Sequence, residues 1–157
     1  MTLLVRAADW VVAVTIIIVM LTIRRLHLWL PPLLCMALIF HFSSQSNPLP
    51  ELTTRVWDKG LHTLGYSGLG LLVCRAFIGE GVKGAKAVLI TIIVAGAYAM
   101  SDEWHQAFVP SRSSDVLDWV ADTIGSMLGA AVLPVLAGWP KNPPKSAADS
   151  GPKHGAS

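Results

Sequence analysis

Four short stretches of the sequence carry the side chains that could do chemistry, namely histidines, carboxylates, cations and amides. The candidate binding residues are Ser44 and Gln45; Asp58, Lys59, His62 and Tyr66; Asp102, Glu103, His105 and Gln106; and Arg112 and Asp118. Positions three or four apart share one face of a helix. Asp58, His62 and Tyr66 have this spacing, so on a helix their side chains would point the same way. We expect the four stretches to meet in one site.

Anion binding is the first function that these residues suggest. Arg112 could pair with a phosphate through its planar fork, with Lys59 and the two histidines adding positive charge. Asp118 or Asp102 would then orient the arginine. The expected ligand is the anionic headgroup of a lipid, such as a lipid-linked phosphate.

Catalysis and a purely structural role are the alternatives. His62 or His105 could act as a general base, with Asp102 or Glu103 orienting the ring. The same groups could instead satisfy one another and fix helix packing without contacting a ligand. His and carboxylates could also surround a divalent metal, but these residues lie in separate stretches at no diagnostic spacing. We therefore predict neither a metal nor another cofactor.

Membrane helices are the elements that must position these groups. Of the 157 residues, 53% are hydrophobic and 14% are charged, against about 25% charged in soluble domains. A spanning helix needs about 20 mainly apolar residues, and five such runs lie near residues 8–23, 29–42, 60–78, 85–101 and 116–139. The predicted fold is all-α, a polytopic membrane bundle of about five helices.

The chain divides into three predicted segments. Residues 1–25 form an N-terminal transmembrane helix, and residues 26–139 form a four-helix membrane domain. Residues 140–157 are rich in Pro, Ser, Gly and Lys and cannot bury enough apolar surface to fold. We predict that this last segment is a disordered cytoplasmic tail.

Lysine and arginine predict the orientation, because cytoplasmic loops carry the excess of both. One side collects Arg24, Arg25, Arg75, Lys83, Lys86, Lys141, Lys145 and Lys153, and the other collects Arg6, Arg55, Lys59 and Arg112. With five spans, the N-terminus lies outside, the C-terminus lies in the cytoplasm and the candidate site faces outward. The net charge of +2, with no basic stripe, gives no reason to expect a nucleic-acid partner.

Gly125 and Gly129 have the small-x-x-x-small spacing that lets two membrane helices approach closely. We expect this stripe to pack within the chain. An oligomer formed through the same two glycines is the alternative.

The candidate residues belong to three motifs, which are Phe42-Ser43-Ser44-Gln45, Asp58-Lys59-x-x-His62-x-x-x-Tyr66 and Asp102-Glu103-x-His105-Gln106-x-Phe108-Val109-Pro110-x-Arg112, followed by Asp118, Gly125 and Gly129. In these motifs the sequence resembles the VanZ-like family of small bacterial membrane proteins. The resemblance spans residues 40–130. Ser111 stands where the family commonly has Gly, and Asp122 stands where Asn is common.

The resemblance implies a multi-pass protein of the bacterial cytoplasmic (inner) membrane, with the VanZ-like domain within residues 26–139. One branch of the family lowers susceptibility to teicoplanin, which acts on lipid-linked cell-wall precursor outside the cell. We therefore expect an outer-face protein that binds an anionic envelope lipid or lipid-linked precursor, with a link to glycopeptide or envelope-stress resistance. A membrane enzyme acting on such a lipid, and a structural membrane protein, remain the alternatives.

Overall fold

Four helices make up the part of the chain that the structure describes. The computed structural model describes residues 2–46, 55–110, 112 and 114–136, without the side chains of residues 2–9, 11 and 55–59. The helices are α1 (Thr2–Ser43), α2 (Arg55–Gly79), α3 (Ala85–Gln106) and α4 (Val116–Leu136), and the described residues contain no strand. Each helix is long and apolar enough to cross a membrane. The prediction of an all-α membrane bundle is confirmed.

Helix α1 joins two runs that the sequence analysis separated. Its 42 residues extend over about 63 Å, about twice the thickness of the hydrocarbon core. Arg24 and Arg25 do not end the helix, because arginine has a high helix propensity. The extra N-terminal helix is therefore not confirmed, and neither is the outside N-terminus that depends on it. The predicted tail lies outside the described residues.

A contact with α2 stabilises α1 where two prolines interrupt its hydrogen bonds. Pro31 and Pro32 lie inside the helix, and Pro31 cannot donate to the carbonyl of His27. Arg75 of α2 supplies donors at this point: its Nη1 lies 3.4 Å from the His27 carbonyl oxygen and its Nη2 lies 2.9 Å from His27 Nε2. A residue of the neighbouring helix thus supplies a donor to the carbonyl that Pro31 leaves without one.

The turn between α2 and α3 lies at the basic end of the bundle. Gly81 adopts a φ of 93° there, a conformation that glycine tolerates. Arg24 donates to the Gly79 carbonyl, and Arg25 Nε lies 3.5 Å from Glu80 Oε1. These contacts bring the cations of α1 next to those that flank the turn. The start of α1 and the end of α4 are both directed toward this side.

Helices α2 and α4 approach each other closely along a stripe of small residues. A Cβ built on Gly125 would lie 2.5 Å from the Thr63 carbonyl oxygen, and one on Gly129 would overlap the Ser67 carbonyl. Both glycines are buried. The stripe packs within the chain, and an oligomer through these glycines stays a prediction.

The site end of the bundle is held by aromatic side chains that donate to backbone carbonyls. Tyr98 Oη donates to Met36 of α1 at 2.6 Å, and Trp119 Nε1 donates to Gly96 of α3 at 3.0 Å. Ala95 and Ala99 are fully buried against Tyr66 and Leu69 in the main core cluster. These contacts fix α3 relative to the other three helices.

We expect Gly129→Ala to lower the free energy of unfolding by about 1–3 kcal/mol, because the added methyl overlaps the α2 backbone. Gly68→Ala is the control: a Cβ there meets nothing within 4 Å, and alanine favours the helix by roughly 0.5–1 kcal/mol. Thermal unfolding in detergent micelles measures both. Equal unfolding temperatures for the two variants would contradict the close approach of α2 and α4.

Candidate functional site

The candidate residues gather at the end of the bundle opposite the basic turn, where α1 and α3 end and α2 and α4 begin. They form two layers. The buried cluster consists of Ser43, His62, Tyr66, Asp102, Glu103, Gln106 and Asp122. The rim consists of Ser44, Gln45, His105 and Arg112, which are exposed or half-buried. Six of the seven residues of the buried cluster are at most 6% exposed, and the side chain of His62 is 18% exposed.

Asp102 is the centre of a hydrogen-bond network that joins three helices. Its Oδ2 accepts from Ser43 Oγ at 2.7 Å, from Gln106 Nε2 at 3.2 Å and from Tyr66 Oη at 3.3 Å. The donors come from α1, α3 and α2. The bond from Ser43 joins α1 to α3, and the bond from Tyr66 joins α2 to α3.

His62 and Asp122 form a pair between α2 and α4. The distance from His62 Nδ1 to Asp122 Oδ2 is 3.4 Å, and Asp122 is fully buried. His62 lies one turn before Tyr66 on α2, while Asp122 follows Asp118 by one turn on α4. A carboxylate at a ring nitrogen of histidine sets the orientation of the ring.

Glu103 connects α3 to the first turn of α4. Its Oε2 accepts the backbone N–H of Asp115 at 3.0 Å. Asp115 in turn caps α4, because its Oδ1 accepts from the Leu117 N–H at 2.9 Å. One oxygen of the Glu103 carboxylate thus contacts the start of α4, and the other is directed into the buried cluster.

Three potential ligand atoms come together in the buried cluster. One donor atom from each of His62, Glu103 and Asp122 lies within 4.8 Å of the other two. Glu103 Oε1 and Asp122 Oδ1 are buried without a hydrogen-bond partner among the described residues, and so is Asp102 Oδ1. Buried anionic oxygens without partners are costly. The cluster can therefore accept positive charge.

The rim ties the chain after α1 to the segment between α3 and α4. Arg112 Nε donates to the Gln45 carbonyl at 3.2 Å, and its Nη2 lies 3.4 Å from the Phe42 carbonyl oxygen. The last carbonyls of a helix lack partners within the helix, and a cation near them is favourable. His105 Nε2 lies 3.1 Å from Ser44 Oγ, and its ring stacks on Phe40.

The structure therefore divides the residues predicted from sequence into four groups. It brings together His62, Tyr66, Asp102, Glu103 and Gln106 in the buried cluster, and Ser44, Gln45, His105 and Arg112 at the rim. Asp118 is half-buried, one turn before Asp122 on α4. Asp58 and Lys59 lie in the first turn of α2, and their side chains are outside the described part of the protein.

Two residues of the buried cluster were missing from the predicted set. Asp122 stands four positions after Asp118, and Ser43 immediately precedes Ser44. The helical spacing of the two aspartates was a signal for the first. Ser43 could be distinguished from Ser44 only by its burial, which sequence does not give.

An apolar cleft of about 450 Å³ opens beside the buried cluster, between the end of α3 and the start of α4. Its lining residues are Met100, Glu103, Trp104, Ala107, Ser114, Asp115, Val116 and Trp119. Trp104 and Val116 are 71% and 72% exposed. The cleft thus leads from the surface of two membrane-spanning helices to the carboxylate of Glu103.

The VanZ/LLP1 family model matches residues 10–137, which include most of α1 and all of α2, α3 and α4. The chain belongs to the VanZ family. The match confirms the resemblance found in the motifs. The VanZ match begins at residue 10, within the segment that the sequence analysis separated as an N-terminal helix. No curated protein and no solved structure matches the chain.

We expect Ser43→Ala to lower the free energy of unfolding by about 1.5–3 kcal/mol, because it removes a 2.7 Å bond to a buried ionisable group. Ser101→Ala is the control: this serine is exposed and donates only within its own helix, to Tyr98. Its effect should stay within about 0.5 kcal/mol. Chemical unfolding in detergent micelles provides the comparison, and a Ser43 variant as stable as the Ser101 variant would refute the network.

Proposed function

We propose that this VanZ-family protein binds an anionic envelope lipid or lipid-linked precursor at the outer face of the cytoplasmic membrane. The observation that carries the proposal is the apolar cleft that ends at Glu103, beside the buried cluster. Its volume lies in the range of about 300–1,000 Å³ that is usual for ligand sites. A lipid could enter it sideways from the membrane.

The two parts of a lipid suit the two parts of this site. Hydrocarbon would lie along Met100, Trp104 and Val116, which line the open side of the cleft. The headgroup would reach the rim, where Arg112 and His105 can supply positive charge. The guanidinium has five N–H donors, so a phosphate can share it with the carbonyls of Phe42 and Gln45. Those carbonyls help to hold Arg112 in place, and the orienting role predicted for Asp102 or Asp118 stays a prediction.

The orientation in this proposal rests on the distribution of cations. Arg24, Arg25, Arg75, Lys83 and Lys86 lie at or near the turn between α2 and α3. Cytoplasmic ends of membrane proteins carry such an excess. This end and the C-terminus would then be cytoplasmic, with the site outside. An outer site that holds cell-wall precursor would account for an effect on glycopeptide or envelope-stress resistance.

Cysteine labelling tests the orientation. In a Cys35→Ala, Cys74→Ala background, Ser46→Cys at the site end should react with an impermeant thiol reagent in intact cells. Lys83→Cys at the basic end should react only after the membrane is opened. Both positions are exposed, so access to the reagent depends on the side of the membrane. The reverse pattern would place the site in the cytoplasm.

Filling the cleft tests lipid binding. We expect Ala107→Trp to reduce binding of a radiolabelled polyprenyl phosphate by at least about tenfold, or 1.4 kcal/mol, because the indole takes the space of the hydrocarbon. Ala97→Trp is the matched control, since Ala97 is also exposed but does not line the cleft. Arg112→Lys should weaken binding too, because lysine lacks the planar fork. Each variant is first checked for an unchanged unfolding temperature.

The same experiment separates the alternatives. Equal binding by wild type, Ala107→Trp and Arg112→Lys would reject the lipid site and leave the polar groups with a structural role. The pair of His62 and Asp122 favours an enzyme as the second candidate, because it has the geometry of a general base with its orienting carboxylate. A new lipid product made by wild type and by His105→Ala, but not by His62→Ala, would establish that alternative.

A further inference from the structure

We propose that His62, Glu103 and Asp122 bind a divalent transition-metal ion, with Zn²⁺ or Mn²⁺ best suited to the donor set. The three residues come from α2, α3 and α4, and the sequence analysis predicted no metal here. This site goes beyond lipid binding and does not depend on it.

The distances are compatible with a single ion. The three donor atoms lie within 4.8 Å of one another. Metal bonds to histidine nitrogen and carboxylate oxygen are about 2.0–2.2 Å long, so neighbouring ligands of one ion are about 2.8–3.6 Å apart. Side-chain rotations that move the donor atoms by on the order of 1 Å would bring all three into coordination without movement of a helix.

The unsatisfied oxygens are a second, independent indication. Asp122 is fully buried and Glu103 is 6% exposed. Nevertheless, Asp122 Oδ1 and Glu103 Oε1 have no hydrogen-bond partner among the described residues. Native proteins leave few buried polar atoms unsatisfied, and an ion is one of the usual reasons. A cation between these carboxylates would satisfy both oxygens and offset two buried negative charges.

The type of donor indicates the type of metal. Carboxylate oxygens alone would favour Mg²⁺ or Ca²⁺, whereas an imidazole nitrogen favours transition metals. One histidine and two carboxylates provide three ligands, and three protein ligands leave a position open, as in catalytic zinc sites. A headgroup oxygen could take that position. This last step rests on the proposed function, and it explains how an acidic cluster could attract an anionic lipid.

Calorimetry on the full chain tests the site. The protein is purified in detergent through a histidine-free tag, treated with EDTA and titrated with Zn²⁺ and with Mn²⁺. We expect one site per chain for at least one of the two ions. We expect the affinity for the metal ion to fall at least about tenfold in each of the variants Glu103→Gln, Asp122→Asn and His62→Gln. Tenfold is the smallest loss usually seen when even an outer-sphere contact of a metal site is removed. Glu80→Gln is the matched control, because Glu80 contacts Arg25 and Trp29 at the opposite end.

Thermal unfolding provides a second readout that does not depend on calorimetry. The ion should raise the unfolding temperature of wild type and Glu80→Gln, but not that of Asp122→Asn. Failure of wild type to bind either ion, or equal binding by wild type and the three ligand variants, would overturn the proposal.

Lipid binding with and without EDTA separates this inference from the proposed function. The protein could bind metal through the three residues and yet fail to bind polyprenyl phosphate. That result would support the metal site and reject the lipid function. Lipid binding by a protein that takes up neither ion would support the function and reject the metal site. Loss of lipid binding in EDTA, restored by Zn²⁺ or Mn²⁺, would support both.

Discussion

The close approach of α2 and α4 is the constraint on which the site depends. Gly125 and Gly129 bring the backbone of α4 against Thr63 and Ser67 of α2, the residues that follow His62 and Tyr66 in sequence. Asp122 lies one turn before Gly125 on the same helix, so the contact that joins the helices also sets the distance between Asp122 and His62. Larger residues in the stripe would push the two helices apart and would therefore also separate Asp122 from His62.

Each of the three carboxylates in the buried cluster has one oxygen in a contact and one without a partner among the described residues. The bonded oxygen of Asp102 receives three donors, which hold α1, α2 and α3 together. Burying ionisable groups in a membrane is costly. Helix packing explains the carboxylate oxygens that have hydrogen bonds, but it does not explain the carboxylate oxygens without partners. The arrangement is therefore better suited to a ligand than to stability alone.

Much of this architecture could be predicted from the sequence. Apolar length alone located α2, α3 and α4 to within about five residues at each end. The helical spacing of polar residues placed His62 with Tyr66, and Asp102 with Gln106, on shared faces. Charge clusters at the ends of apolar runs indicated which end of the bundle carries the site.

The remaining features depend on contacts between distant parts of the chain. Where Pro31 interrupts the hydrogen bonds of α1, Arg75 donates to the His27 carbonyl from 48 positions away in sequence, and no local sequence pattern predicts this contact. Similarly, His62, Glu103 and Asp122 come from three helices, so their spacing in sequence has no diagnostic value. Arg112 was expected to face a ligand, but its two bonds to the end of α1 could not be foreseen from its position in a loop.

The bonds of Arg112 have a consequence for the evolution of this rim. Two of its acceptors are main-chain carbonyls, of Phe42 and of Gln45, and Glu103 likewise accepts from the main-chain N–H of Asp115. Every amino acid offers the carbonyl, and all except proline offer the N–H. Substitutions at positions 42, 45 and 115 can therefore accumulate without breaking these bonds, whereas one change at Arg112 removes two of them. Related sequences should show no correlated change between Arg112 and the two positions that hold it.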